Sequence, residues 1–319
     1  MPPAINHRSH QLNKRFRLPK GELHSLPFII AHTIQFARGN STKCKLCKLQ
    51  RSISRFGKFT GVTDCYKNLD VTWPPWYDLP VNIEIYGGLL MEHVKKIADH
   101  FWIFEENGVR SFLFEGTDRA MLIDTGFGTL PLREMTAEQT TLPVFLVNTH
   151  TDGDHTGRNS EFSPVYMHPA EMDHYQNALP EGCRMEDVRP LWEGEIIDLG
   201  HWKFEVILTP GHTPGSIMLL EREKRMLISG DSIQDDTIFM FGTGRNMPAF
   251  QSSLKRIMAL TDSFDTVWPS HGSYPLTADI IPGILRGSQD LLDGKLPGQE
   301  PPRPMPCKKY VCDAASFLY

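Results

Sequence analysis

A chain of 319 residues, 40% hydrophobic and 22% charged, has the balance of a soluble globular protein and enough length for a sizeable core. Its net charge of −5 hides an uneven split: 13 Lys/Arg against 5 Asp/Glu in residues 1–90, and 20 against 33 in residues 91–319. No apolar run reaches the length of a membrane span, and the six cysteines are scattered, which excludes a disulfide scaffold; a reduced, cytoplasmic protein with no membrane partner is expected.

Residues 1–90 show no sustained period of 2 or 3.6 and read as a basic, loop-rich extension ending in VTWPPWYDLP (71–80). LPFIIAHTIQFA (26–37) follows basic residues as a targeting segment does, but His32 and Gln35 interrupt it. KCKLCK (43–48) holds a single CxxC, and Cys65 alone does not complete a zinc knuckle. Two readings of this region stand level. It is a real extension, or it lies upstream of a true start at Met91, since the codons of Gly87-Gly88 can spell a purine-rich ribosome-binding site. The folded domain is expected over 91–319 on either reading.

From Met91 onward the pattern is regular. IADHFWIF (97–104), VRSFLFEG (109–116) and RAMLIDTG (119–126) are predicted strands of a meander, and LPVFLVNTH (142–150) is an apolar run that ends in a polar cluster. MHPAEMDHYQNAL (167–179) reads as a helix with Pro169 near its start. FEVILTPGHT (204–213), SIMLLERE (216–223), RMLISGDS (225–232) and TVWPSHGSY (266–274) read as further strands. AFQSSLKRIMAL (249–260) and DIIPGILRGSQDLLDGK (279–295) read as helices. This order predicts an α/β protein with two β-layers and helices outside.

Four polar clusters stand at strand ends: His150, Asp152, Asp154 and His155 in HTDGDH, then His212 in TPGHTPGS, Asp231 in ISGDS, and His271 in PSHGS. Imidazole and carboxylate are the ligand types of Zn, Fe and Mn, and the neighbouring glycines and prolines give the tight turns such mounting needs. Any one of these histidines alone is more simply a hydrogen-bonded surface or core residue; the joint pattern is not. His168 and His174, on the predicted helix, are taken as structural.

In this order the clusters resemble the metallo-β-lactamase fold hydrolases, whose pattern is H-x-H-x-D-H, a His in G-H-T-x-G-S, an Asp after Gly, and a His before Gly. LIDTGFG (122–128) resembles their early strand and turn, and the likeness covers about residues 94–295. The resemblance implies an αββα four-layer sandwich with a two-metal site along one edge. Carried over residue by residue, His150, Asp152 and His212 form one site, Asp154, His155 and His271 the other, and Asp231 bridges both. Asp152 departs from the pattern, because most members have His in that slot. A carboxylate there favours Fe or Mn relative to a His-rich zinc site, though Zn is the commonest metal of the family, and the flavodiiron branch carries Glu in this slot. The alternative is that Asp152 is a poor ligand and its site is partly empty.

The resemblance further implies a water bridging two divalent metal ions and acting as hydroxide, with Asp154 orienting it. Asp124 is either a carboxylate steadying a ligand from behind or a turn cap. Asp231 argues against a true β-lactamase, and only 48 residues follow His271, too few for the glutathione-binding domain of glyoxalase II proper. A small ester, thioester or lactone is the expected substrate. The alternatives are a phosphodiesterase or nuclease, a β-lactam hydrolase, or a non-catalytic metal- or nucleic-acid-binding member. Trp192, Phe239, Met240, Phe241 and Tyr274 are candidates for a substrate pocket, with ordinary core as the other reading. The expected partner is a small molecule rather than nucleic acid, and a homodimer is compatible with the sequence.

Overall fold

The structure is a computed structural model that describes residues 93–319; the readings of residues 1–90, including KCKLCK, lie outside the described residues. Its strands are β1 (Val94–Ala98), β2 (Phe101–Glu106), β3 (Val109–Glu115), β4 (Ala120–Ile123), β5 (Val144–Val147), β6 (Val165–Met167), β7 (Val188–Pro190) and β8 (Ile196–Asp198). They continue with β9 (Lys203–Leu208), β10 (Ile217–Glu221), β11 (Met226–Gly230), β12 (Thr237–Phe239), β13 (Thr266–Pro269), β14 (Leu276–Thr277), β15 (Lys309–Val311) and β16 (Ser316–Leu318). The helices are α1 (Leu132–Gln139), α2 (Gly153–Thr156), α3 (Pro169–Asn177), α4 (Met247–Met258) and α5 (Ile280–Leu292).

Among the described residues the strands make three sheets, ordered β1-β2-β3-β4-β5-β6-β7, β14-β13-β11-β10-β9-β8 and β12-β16-β15. The first is antiparallel through β4 and parallel from β4 to β7. In the second, β11 and β13 are parallel and the other pairs antiparallel.

The strands are apolar on both faces because each sheet is covered on both. Alternate residues of β2 take opposite sides: Phe101 and Ile103 enter the core between the two large sheets, with Phe204, Val206, Ile217 and Leu219 from the second. Trp102 and Phe104 face the other way, onto Leu132 and Met135 of α1 and Tyr175 of α3. On the outer face of the second sheet, Met218 and Leu220 meet Phe250, Leu254 and Ile257 of α4 and Ile281 and Ile284 of α5. Each such fully buried side chain contributes about 1.5–3 kcal/mol of transfer free energy. The layers therefore run helix, sheet, sheet, helix, as expected.

One expected strand needs correction. The apolar run 97–104 is divided: β1 ends at Ala98, His100 takes a φ of 65°, and β2 begins at Phe101. The polar pair Asp99-His100 inside the run marks a turn that folds β1 back onto β2. Among the described residues, no helix is long and apolar enough to cross a membrane.

Candidate metal centre

Every residue of the four clusters stands just beyond the C-terminal end of a strand. After β5 the chain passes through buried Asn148 and Thr149 to His150, then turns into α2, which carries Asp154 and His155. Asn148 Nδ2 donates to the His155 carbonyl at 3.1 Å, which pins α2 against the end of its own strand. His212 lies in the loop from β9 to β10, Asp231 follows β11, and His271 follows β13. Gly211, beside His212, has a φ of 143°, and a Cβ there would lie 2.3 Å from Phe250 Cα. Only glycine lets α4 approach the loop so closely. The two sheets are joined at this edge by Ile217 N–H donating to Thr149 O (2.9 Å) and Arg110 N–H donating to Ser270 O (3.0 Å).

All seven of the expected ligands converge. His150, His212 and Asp231 form one group whose donor atoms lie within 4.8 Å of one another, and Asp154, His155 and His271 form a second. In the first, the two Nε2 atoms are 3.2 Å apart, and Asp152 Oδ2 is 3.5 Å from His150 Nε2 and 3.3 Å from His212 Nε2. In the second, Asp154 Oδ2 is 3.4 Å from His271 Nε2, and its Oδ1 is 3.8 Å from His155 Nε2. Asp231 faces both groups: Oδ1 is 3.3 Å from His155 Nε2, while Oδ2 is 3.4 Å from His271 Nε2 and 3.7 Å from His212 Nε2. Ligands bound tetrahedrally at 2.0–2.1 Å stand about 3.3 Å from each other, so these spacings fit a cation in each group.

Hydrogen bonding behind the imidazoles fixes their tautomers. His212 Nδ1 meets the Phe239 carbonyl at 2.8 Å, His271 Nδ1 the Gly108 carbonyl at 2.9 Å, and His155 Nδ1 the Asp124 carboxylate at 2.8 Å. These partners only accept, so each Nδ1 donates. Thr149 Oγ1 gives its proton to Asp124 Oδ2 (2.7 Å) and therefore accepts from His150 Nδ1 (3.1 Å). In their neutral forms all four rings then direct an Nε2 lone pair into the site. His155 Nε2 and Asp231 Oδ1 are buried with no hydrogen-bond partner. Unpartnered buried acceptors are rare, and a divalent cation satisfies both.

The electrostatics agree. Burial alone would raise Asp231 and lower His155, but the nearby opposite charges outweigh it, holding Asp231 well below and His155 well above their ordinary values. Burial works against a charged His271 too, yet Asp231 and Asp154 push it up to about 10. Three carboxylates thus draw positive charge to the place where cations fit. His212, dominated by burial, is shifted down.

Asp124 is fully buried and, besides His155 and the Thr149 hydroxyl, accepts from Thr149 N–H at 2.8 Å. The aromatic candidates scatter. Trp192 is 53% exposed and edge-on to His168; Phe239 is 40% exposed, its ring beside Phe241, and Met240 is buried in the core of the second sheet's outer face. Tyr274 stacks over the Arg110 guanidinium at 4.1 Å and borders the inter-sheet core.

Three supporting residues escaped the sequence reading. Glu171, buried on α3, accepts from Thr151 N–H (2.9 Å) and Gly215 N–H (2.7 Å), tying the His150 loop to the His212 loop. Arg110 donates to the carbonyls of Pro269 and Gly272, on either side of His271. Arg245, before α4, donates to Asp152 Oδ2 at 2.5 Å and to the His212 carbonyl at 2.6 Å. A buried Glu inside a helical pattern was the only local signal among them.

A family model described as Metallo-beta-lactamase superfamily matches residues 105–271. Over 212 residues the chain is 30% identical to the acyl-coenzyme A thioesterase MBLAC2 of Gallus gallus, covering 54% of this chain and 76% of that protein. A hydroxyacylglutathione hydrolase of Bdellovibrio bacteriovorus is 29% identical over 156 residues, which cover 48% of this chain and 56% of that one. Among solved structures, a metallo-beta-lactamase from Pontibacter korlensis shares the fold with a TM-score of 0.52 at 21% identity, over 62% of this chain and 98% of that one.

Proposed function

We propose that this chain, which belongs to the metallo-beta-lactamase superfamily of metal-dependent hydrolases, hydrolyses a small acyl thioester. The observation that carries the reading is Asp231, whose carboxylate faces both donor groups at once. A carboxylate so shared would help to hold a cation in each group. His150, Asp152 and His212 would hold one cation, and Asp154, His155 and His271 the other. When bound, such a pair polarises a carbonyl and lowers the pKa of water toward neutrality.

The residues of the chain do the rest. Asp124 fixes the ring of His155, and Thr149 fixes that of His150, so the donor atoms need no reorganisation on loading. Asp154, the most exposed of the three carboxylates, orients the attacking water and takes its proton. The new C–O bond forms as the C–S bond breaks, and the sulfur leaves with the electron pair. A thiol with a pKa of about 8.5 leaves as thiolate with little help from a general acid, which suits a site built from carboxylates and neutral imidazoles. Of the relatives named above, one is named an acyl-coenzyme A thioesterase and the other a hydrolase of hydroxyacylglutathione, whose acyl–sulfur bond is also a thioester, and that supports thioester over plain ester or lactone.

The test is release of thiol from short-chain acyl-coenzyme A and acylglutathione by the metal-loaded protein, measured with a thiol reagent beside a nitrophenyl ester, a lactone, a β-lactam and a bis-nitrophenyl phosphate. Thioesters turning over fastest is the expected result. Phosphodiester cleavage without thiol release overturns it.

A further inference from the structure

Asp152 poses a problem of charge. With histidine in its slot the donor set holds two carboxylates, Asp154 and Asp231; Asp152 adds a third in a buried edge where like charges repel strongly. Asp152 also stands at the N-cap of α2, where an aspartate ordinarily accepts from the helix's own N–H groups, yet it makes no such bond. Its carboxylate is turned instead to His150, His212 and Arg245.

Arg245 is built into that place. Its side chain is 13% exposed. The following residue, Asn246, caps α4 by accepting from Ala249 N–H and donates its own N–H to Gly211 O at 2.8 Å, so the loop carrying Arg245 is anchored beside His212. One guanidinium nitrogen bonds the His212 carbonyl and the other Asp152 Oδ2. A planar fork with fixed donors suits this double task as a lysine would not.

We propose that Arg245 is the positioning residue that makes Asp152 a metal ligand: it cancels the added negative charge and clamps Asp152 and His212 together. A carboxylate oxygen has two lone pairs, so Oδ2 can serve Arg245 and a cation at once. Aspartate and arginine together then present a donor of near-neutral charge, as the usual histidine does. The inference rests on the two-metal reading above.

The test is a metal titration in competition with a chelator of known affinity, with stoichiometry read by native mass spectrometry, on wild type, R245Q, D152H and D152H/R245Q. Wild type should bind two zinc ions. R245Q should keep the Asp154–His155–His271 site and lose about 10–100-fold at the other, the usual effect of removing a group behind a ligand. On the D152H background the same R245Q change should cost less than about threefold, because histidine brings no charge to cancel. If R245Q alone does not fold, a double variant that folds and binds two ions supports the proposal. A double variant that also fails to fold, equal losses on both backgrounds, or full two-metal affinity in R245Q would each overturn it. A wild type that binds no metal sinks the two-metal reading itself, and so the two failures are told apart.

Discussion

The two donor groups share Asp231 but are held by opposite devices. In the second, the supporting anion stands behind the ligand: Asp124 grips the back of His155, and the group's other imidazole is braced by a backbone carbonyl. In the first, the imidazoles are braced by neutral oxygens, of Thr149 and Phe239; the extra anion, Asp152, stands among the donors, with a cation behind it. Beyond Asp231, the first group thus has one carboxylate, Asp152, among its donors, and the second has two, Asp154 among its donors and Asp124 behind them. Asp152, among the donors, is paired with Arg245. A rear-placed anion strengthens the imidazole as a donor and, fully buried, is satisfied by the Thr149 N–H, the Thr149 hydroxyl and His155.

The largest effect should come from the residue common to both. Asp231→Asn keeps shape but removes the charge that faces each group, and several kcal/mol of transition-state stabilisation go with the cations it holds. We expect kcat/KM for a thioester to fall by roughly 10³ or more and bound metal to fall below two per chain by elemental analysis. Near-normal metal content and rate would remove Asp231 from the site.

Asp124→Asn separates the groups. The ring of His155 loses its anionic partner directly and His150 is touched only through Thr149, so affinity should drop about 10–100-fold at the second site and less at the first. Loss at both sites in equal measure would mean that the two groups are not independently supported. Gly211→Ala strikes the other side: its Cβ meets the α4 backbone beside His212. A destabilisation of about 1–3 kcal/mol by urea titration is expected, with weaker binding at the His150–His212 site.

The comparison also marks what the sequence could carry. The converging donor residues were legible because each stands at the end of an apolar strand beside a glycine turn, a signal contained in a few residues. The layered fold was legible because its strands are apolar on both faces. What failed depends on distance or on length. Arg245 and Asp152 are 93 positions apart, and nothing local in GTGRN announces the pair. β6, β7 and β8 have three residues each, too few for a period to show, and the turn at Asp99–His100 is marked only by two polar residues within an apolar run. The aromatic candidates are a different case: ring size says nothing about whether a side chain faces a site, the solvent or the space between two sheets.

The smallest effect, and the most discriminating between the groups, is on the pH dependence of the chelator-treated protein. Asp231 and Asp154 lift His271 to about 10 in the folded chain, above an unfolded value of about 6.5. The folded state therefore holds this proton more tightly. Its contribution is whole below pH ~6.5 and disappears as the pH rises through about 10. His155 is shifted the same way. His212 is shifted down by burial, so its contribution is whole above pH ~6.5 and is lost as the pH falls. Metal-free protein should thus lose melting temperature on both flanks, the alkaline flank owed to the second group and part of the acid flank to the first. His271→Gln should flatten the fall between pH 7 and 10, and His212→Gln should soften the fall below 6.5. Added zinc should reverse the alkaline trend, because binding releases these protons and strengthens as they become easier to remove. If both variants change the same flank, the two groups do not divide their charge as the hydrogen bonds behind them indicate.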